Sequence, residues 1–396
     1  MTQYILLLNC GSSSIKYQVM NPDTEEVVAT GLVQKVGDRT VGTLDHEVGG
    51  QEFHLDEHFG DHTEALRRVV EMFNEHGPDL GKVIAVGHRT VHGGIAFTRT
   101  TRITDAVIDR LKELYGLAPL HNPAGVAGIE AAIAALPNVP HVAIFDTSFF
   151  STLPAEAYTY AIDHATAEQI GIRKYGFHGT SHDFVSSAAA DFLGRSRDEL
   201  KLIVLHLGNG ASASAIDHGR PIETSMGLTP LQGLVMGTRS GDIDAGVVAY
   251  LHRKLEWDVD QVDDFLNKKS GMKGLTGKTD MRDVKALIDA GDEAARIGID
   301  VYVHRLVSYI GSYTALLGGL DALVFTAGVG ENADWVRALV LERLAPFGVV
   351  LDAEANAVRS KEPRAITTAD SRVPVLVVPT NEDLAMAREV MAVIRD

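Results

Sequence analysis

The 396-residue chain holds one cysteine, Cys10, so no disulfide can form within it, which suits a reducing compartment. No apolar run approaches the ~18 residues that a membrane-spanning helix needs. The opening segment, MTQYILLLNC, has no basic flank, and its apolar stretch is too short for a secretory leader. Basic residues are in deficit: 36 Lys and Arg against 53 Asp and Glu give a formal net charge of −17. Such a chain repels nucleic acid and anionic membrane, so neither is expected as a partner, while a local basic pocket for a small anion stays open to it. Linkers are lacking as well: no Ser/Gly tract, Pro-rich hinge or long charge block interrupts the sequence. Together these absences exclude the membrane, secreted, fibrous and disordered classes. They leave a cytoplasmic globular protein of ample length for a core, two to three domains at ~150 residues each.

What is present is an alternation of strand-like and helix-like segments, which predicts an α/β fold. Residues 61–77 read as a helix, with Asp61 and Glu64 placed for a capping box and Gly77 for the stop. Residues 104–116 repeat the pattern with Thr104 as cap, and residues 294–317 read as a long, mostly buried helix. A weak internal repeat is more informative. YILLLNCGSSSIKYQVMN near the start and LIVLHLGNGASASAID at 202–217 each give an apolar strand, a polar turn with Gly and Asn, and a second strand. Two such units predict two similar domains.

Three turns are built to approach an anion. Gly11-Ser12-Ser13-Ser14 offers backbone N–H groups and hydroxyls, with Lys16 two residues on. His206-Leu207-Gly208-Asn209-Gly210 ends a second apolar strand, and its two glycines permit positive φ and a bare backbone. Ala322–Phe325 leads into Thr326-Ala327-Gly328-Val329-Gly330-Glu331-Asn332, with a helix expected from about Asp334. Each alone also fits a plain polar turn; three at strand ends in a two-fold repeat predict a nucleotide held by two α/β domains. The stretch Gly271–Thr279 nearly matches a P-loop, but its glycines are one residue too far apart and no strand precedes it, so it reads as a flexible loop.

Asn9-x-Gly11-Ser12-Ser13-Ser14-x-Lys16 resembles the N-terminal signature of the acetate kinase family, and Gly87-His88-Arg89-x-Val91-His92-Gly93-Gly94 its second signature. The likeness continues through Pro119–Pro123, Phe145-Asp146-Thr147, Tyr175–His182, His206–Gly210, Gly237–Asp242, Asp280–Asp283, Gly328–Asn332 and Asn381-Glu382, in family order along almost the whole chain. The resemblance implies two duplicated actin-like (ribonuclease H-like) domains, 1–148 with 383–396 and 149–382, with the active site in a cleft between them, in a cytoplasmic homodimer. The implied reaction is reversible transfer of the ATP γ-phosphoryl group to acetate, giving acetyl phosphate and ADP, with Mg2+ or Mn2+.

Residue by residue, the resemblance implies that Arg89 takes the acetate carboxylate and Arg239 both acetate and the transferring phosphoryl group. The planar fork of arginine suits both anions. His178 is implied as the donor to the phosphoryl oxygens in the transition state, and Asp146 as the group orienting an arginine or metal-bound waters. Asn9 and Glu382 are implied as metal positions, and Val91, Leu120, Phe177 and Pro230 as the methyl pocket, with His121 beside the substrate. ATP/ADP falls to Ser12, Ser14, Lys16, His206, Leu207, Gly208, Asn209, Gly210, Asp280, Met281, Arg282, Gly328, Val329, Gly330, Glu331 and Asn332. His178-x-x-x-His182 has a spacing seen in metal sites, but without an acidic third ligand zinc is not expected. A propionate-preferring kinase of the same family is the near alternative. More remote ones are a sugar kinase and an Hsp70- or actin-like ATP-driven binding protein.

Overall fold

The computed structural model describes residues 2–119 and 121–395. The chain divides into two compact units, residues 1–151 with 381–396, and residues 152–380. The break falls between Thr380 and Asn381, so Glu382 and the helix it opens, Glu382–Arg395, belong to the first unit. Met386, Ala387 and Val390 of that helix pack with Ile5, Leu7, Ala85, Val142 and Ile144 of the first sheet, which is why the chain end returns there.

Among the described residues the first unit carries β1 (Tyr4–Cys10), β2 (Ser14–Met20), β3 (Val27–Gln34), β4 (Gly42–Val48), β5 (Gln51–Glu57), β6 (Val83–Thr90), β7 (Thr101–Arg102) and β8 (His141–Phe145). They form one sheet in the order β5-β4-β3-β2-β1-β6-β8-β7. The second unit carries β9 (Lys201–Leu207), β10 (Ala211–Asp217), β11 (Arg220–Thr224), β12 (Ala322–Thr326), β13 (Arg364–Ala365) and β14 (Val375–Val377), in the order β11-β10-β9-β12-β14-β13. Strand directions match as well. β1 is antiparallel to β2 and parallel to β6, as β9 is antiparallel to β10 and parallel to β12. The parallel β6–β8 and antiparallel β7–β8 pairs recur as β12–β14 and β13–β14. The hairpins expected from the repeated sequence are β1–β2 and β9–β10, at the same place in each sheet. The central strands β8, β12 and β14 are buried along their length, as strands covered on both faces must be.

The helix expected at 61–77 spans His62–His76, with Asp61 accepting from the Glu64 N–H and Gly77 closing it. The capping box is only half made, because Glu64 Oε2 accepts from the Gly60 N–H at 2.7 Å rather than from the cap residue. Asp105–Glu113 follows Thr104, and a 3₁₀ turn, Leu114–Gly116, ends it. The long helix, Glu293–Leu317, is not mostly buried: one face packs inward, including Ile299, Tyr302, Leu306 and Ile310, while Ile297, Val301 and Leu316 are exposed. Apolar residues all round suggested burial on every side, but the helix is covered on one side within its own unit. Gly271–Thr276 is a helical turn stopped by Gly277 rather than a flexible loop.

Candidate active site

In the first unit, chemistry gathers where parallel strands β6 and β8 end at their carboxyl sides, the usual place for ligands in such sheets. Arg89 lies near the end of β6 and Asp146 directly follows β8, their strands paired through Thr90 and Phe145. The guanidinium forks onto the carboxylate, with Nε donating to Oδ1 at 3.0 Å and Nη2 to Oδ2 at 2.9 Å. Nη1 donates to Glu382 Oε2 at 3.3 Å. These two acids hold Arg89 firmly charged, its pKa raised first by the charge of Asp146. Three of its five N–H groups are used in these bonds, and two are not.

Glu382 is the least satisfied member. Burial pushes its carboxyl pKa up against the pull of Arg89, and its Oε1 is buried with no hydrogen-bond partner. A buried, unpartnered carboxylate oxygen is the donor that a hard divalent cation takes. Among the described residues no cluster of three or more His, Cys, Asp or Glu side chains could hold a metal by itself. Glu382 Oε1 therefore fits a cation that keeps water and substrate oxygens, and Asn9, the other expected metal position, lies on β1. Lys16 sits opposite Asn9 in the β1–β2 ladder and pairs with Asp383 at 2.9 Å. Ser12 is exposed in the hairpin turn, which closes by the Gly11 N–H donating to Ser14 O at 2.8 Å. Val91 follows β6 and is half-buried, and His121 precedes the helix Asn122–Ala135. Leu120 lies outside the described residues.

In the second unit, His178 precedes the helix Gly179–Leu193 at φ 60, left-handed backbone that costs a non-glycine residue ~1–2 kcal/mol. Its ring stacks on His206 with centroids 4.3 Å apart. His178 Nδ1 lies 2.9 Å from Ser212 Oγ, and His206 Nδ1 lies 2.8 Å from Ser181 Oγ. Phe177, which precedes His178 in the chain, is buried. Arg239 donates through Nη1 to Pro230 O at 3.2 Å and touches Met236 Sδ. No carboxylate among the described residues pairs with it, and burial lowers its pKa. Gly210 draws these groups together: a Cβ there would lie 3.5 Å from both Arg239 Nη1 and the His178 ring. Neither Gly208 nor Gly210 adopts positive φ. The turn uses glycine for bare backbone, not for left-handed geometry.

A cavity of about 740 Å³ opens beside this turn, lined by Gly208, Asn209, Asp280, Met281, Arg282, Gly328, Val329 and Asn332 of the expected nucleotide set. Asp280 caps the helix Met281–Asp289 and chelates Arg282. Leu207 is buried in β9, so only its backbone is on offer. Thr326–Asn332 is not an open turn: Ala327–Asn332 is helical and begins at φ 63. Glu331 turns inward to accept from the Ala327 and Thr380 N–H groups, and Gly330 O accepts from Arg337, so neither lines the cavity. Sequence reasoning missed Tyr302, which lines the cavity and whose hydroxyl is buried without a partner. It also missed Ser212 and Ser214, visible only as alternating small residues in ASASA.

The acetokinase family model matches residues 4–388. The acetate kinase of Clavibacter michiganensis subsp. michiganensis is 52% identical over 390 residues, covering 98% of each chain. The solved acetate kinase of Porphyromonas gingivalis superposes with a TM-score of 0.93 at 38% identity, covering 99% of this chain and 100% of that one. A solved propionate kinase from Francisella tularensis gives 0.92 at 39% identity, covering 98% and 99%. The two-sheet α/β fold is that of these kinases, and the chain belongs to the acetokinase family.

Proposed function

We propose that this chain transfers the γ-phosphoryl group of ATP to acetate, reversibly and by direct in-line displacement, giving ADP and acetyl phosphate. The observation that carries the reading is the convergence of Arg239, a half-buried arginine with no carboxylate partner among the described residues, with His178 on the bare backbone of Gly210. An acetate oxygen bonds to the γ-phosphorus as the bond to the bridging oxygen breaks, and that electron pair leaves on ADP. Acetate is already ionised at neutral pH, so no general base is required. The obstacle is charge, and phosphoryl transfer is catalysed chiefly by positioning and electrostatic stabilisation.

In this reading the two remaining N–H groups of Arg89 hold the acetate carboxylate, oriented by Asp146. Val91, Leu120, Phe177 and Pro230 enclose the methyl group, with His121 beside it. Arg239 and His178 donate to the phosphoryl oxygens. Gly208–Gly210, Ser12, Ser14 and Lys16 bind phosphates, and the cavity lined by Asp280–Arg282 and Gly328–Asn332 takes the adenosine. Glu382 and Asn9 hold Mg2+ or Mn2+, which when bound neutralises charge on the phosphates. The two units are read as the products of one duplication, supported by their shared six-strand pattern. A cytoplasmic homodimer completes the reading, and the net charge of −17 disfavours nucleic-acid and anionic-membrane partners.

The likeness to a propionate kinase favours a second acid as substrate, since one methylene is worth only ~1–3 kcal/mol of discrimination. Metal-dependent ATP consumption with acetate, propionate, glycerol or no acceptor, with hydroxylamine trapping of acyl phosphate, tests both. Hydroxamate formed fastest from acetate is expected. Faster formation from propionate moves the preference, and ADP release without hydroxamate overturns the reading.

A further inference from the structure

The second unit contains an unbroken chain of side-chain hydrogen bonds that ends on His178. Ser214 Oγ lies 2.7 Å from His182 Nδ1, His182 Nε2 lies 2.7 Å from Ser212 Oγ, and Ser212 Oγ lies 2.9 Å from His178 Nδ1. The spacing follows from the backbone. His178 and His182 are one helical turn apart, a rise of about 6 Å, and Ser212 and Ser214 are two strand residues apart, about 6.6 Å, so the two pairs interleave. Ser212, Ser214 and His182 are fully buried, so solvent does not complete their hydrogen bonds.

Burial keeps His182 neutral, with one donor and one acceptor nitrogen. The hydrogens can then run in only two directions. If His182 donated from Nδ1, the Ser214 hydroxyl would need another acceptor, and among the described residues His182 Nδ1 is its sole side-chain or backbone partner. A buried hydroxyl left without an acceptor costs ~1–3 kcal/mol. The satisfied direction has Ser214 donating to His182 Nδ1, His182 Nε2–H to Ser212, and Ser212 to His178 Nδ1. We propose that Ser214, His182 and Ser212 are positioning residues that hold His178 in the Nε2–H tautomer, so that its neutral ring presents a donor to the transferring phosphoryl group. The hydrogen bond at one ring nitrogen sets what the other can do. The catalytic consequence rests on the function proposed above; the tautomer does not.

The test is the 15N spectrum of histidine-labelled protein at neutral pH without substrate, the His178 signals being assigned with His178→Gln. Wild-type protein is expected to show His178 protonated on Nε2 with Nδ1 unprotonated. An Nδ1–H signal overturns the proposal whatever the activity, and needs no variant to fold. Ser214→Ala removes the directional bias and is expected to give a mixture of tautomers. Ser212→Ala is expected to lower kcat about tenfold or more, within the range seen when a general donor is mispositioned, while the KM for acetate moves less than about threefold. His182→Gln, which keeps a donor toward Ser212, is expected to retain more activity than His182→Leu. Unchanged kcat and an unchanged His178 tautomer in folded Ser212→Ala would also overturn it. An Nε2–H tautomer in a protein that makes no acyl phosphate would refute the proposed reaction and leave the relay standing.

Discussion

The two units build the same six-strand pattern and equip it in opposite ways. In the first, the ends of β6 and β8 carry Arg89 and Asp146, with Glu382 added by the returning helix, so the positive charge is stored with its own counter-charges. In the second, the ends of the matching strands β12 and β14 carry no such pair among the described residues, and the groups gathered around Arg239 are imidazole rings, hydroxyls and bare backbone. The difference teaches that one scaffold can present charge in two forms. Arg89 is prepaired and geometrically fixed. Arg239 is desolvated and unpaired, so an anion that reaches it completes an interaction the protein itself leaves open.

The largest effect expected on breaking this arrangement is catalytic. Arg89→Ala and Arg239→Ala should each lower kcat about 10²–10³-fold, as loss of a group stabilising developing charge does. Steady-state acyl-phosphate formation checks this, and a loss below about tenfold would remove that arginine from the transition state. Glu382→Gln should raise the metal concentration needed for half-maximal rate about tenfold or more while leaving the cavity of the second unit intact. A metal titration of the rate at saturating ATP and acetate is the check.

A smaller effect sharpens the comparison through pH. His88 and His141 form a buried pair at 2.9 Å in the first unit, and His182 is buried in the second. Burial lowers the pKa of all three below the ordinary 6.5. The unfolded chain then binds more protons than the folded one below about pH 6.5, so stability is complete above that pH and falls beneath it. Each histidine contributes up to ~1.4 kcal/mol per pH unit. Urea midpoints measured at about pH 7.5 and pH 5.5 should fall toward acid. A smaller drop in His141→Gln than in wild type would locate part of the effect in the first unit.

The smallest effect concerns packing behind the β1–β2 turn. A Cβ on Gly128 would lie 2.3 Å from Cys10 Sγ, so Gly128→Ala should cost ~1–3 kcal/mol, and Cys10→Ala should restore most of it. Thermal melts of the two single variants and the double variant measure this. Burial pushes the Cys10 thiol up to about 12, so it should resist alkylation at neutral pH in the folded protein.

Much of this was legible in the sequence because it is local. Apolar runs broken by Gly and Asn located the β1–β2 and β9–β10 hairpins, and Asp61, Thr104 and Gly77 marked helix ends through capping chemistry that needs only neighbours. The motif order picked out Arg89, Asp146, His178 and Arg239 as candidates. What was hidden depends on partners far apart in the chain. Glu382 meets Arg89 only because the last helix returns to the first sheet. Glu331 looked like a ligand-facing residue in a Gly-rich turn, yet its carboxylate serves backbone N–H groups of its own unit. Ser212 and Ser214 read as small strand residues until the helix bearing His178 and His182 lay across them. The exposed side of Glu293–Leu317 misled for the same reason, since hydropathy reports how apolar a face is and not what covers it.

Urea unfolding of Arg89→Ala and Arg239→Ala beside the wild type tests most directly whether the two arginines are held differently. Removing Arg89 strands Asp146, whose side chain is 5% exposed, and Glu382, and should cost ~3 kcal/mol, the lower end for breaking a buried ion pair. Removing Arg239, which leaves no carboxylate behind, should cost less than ~1 kcal/mol. Equal losses, or a larger loss for Arg239→Ala, would contradict the division between a prepaired and an open arginine.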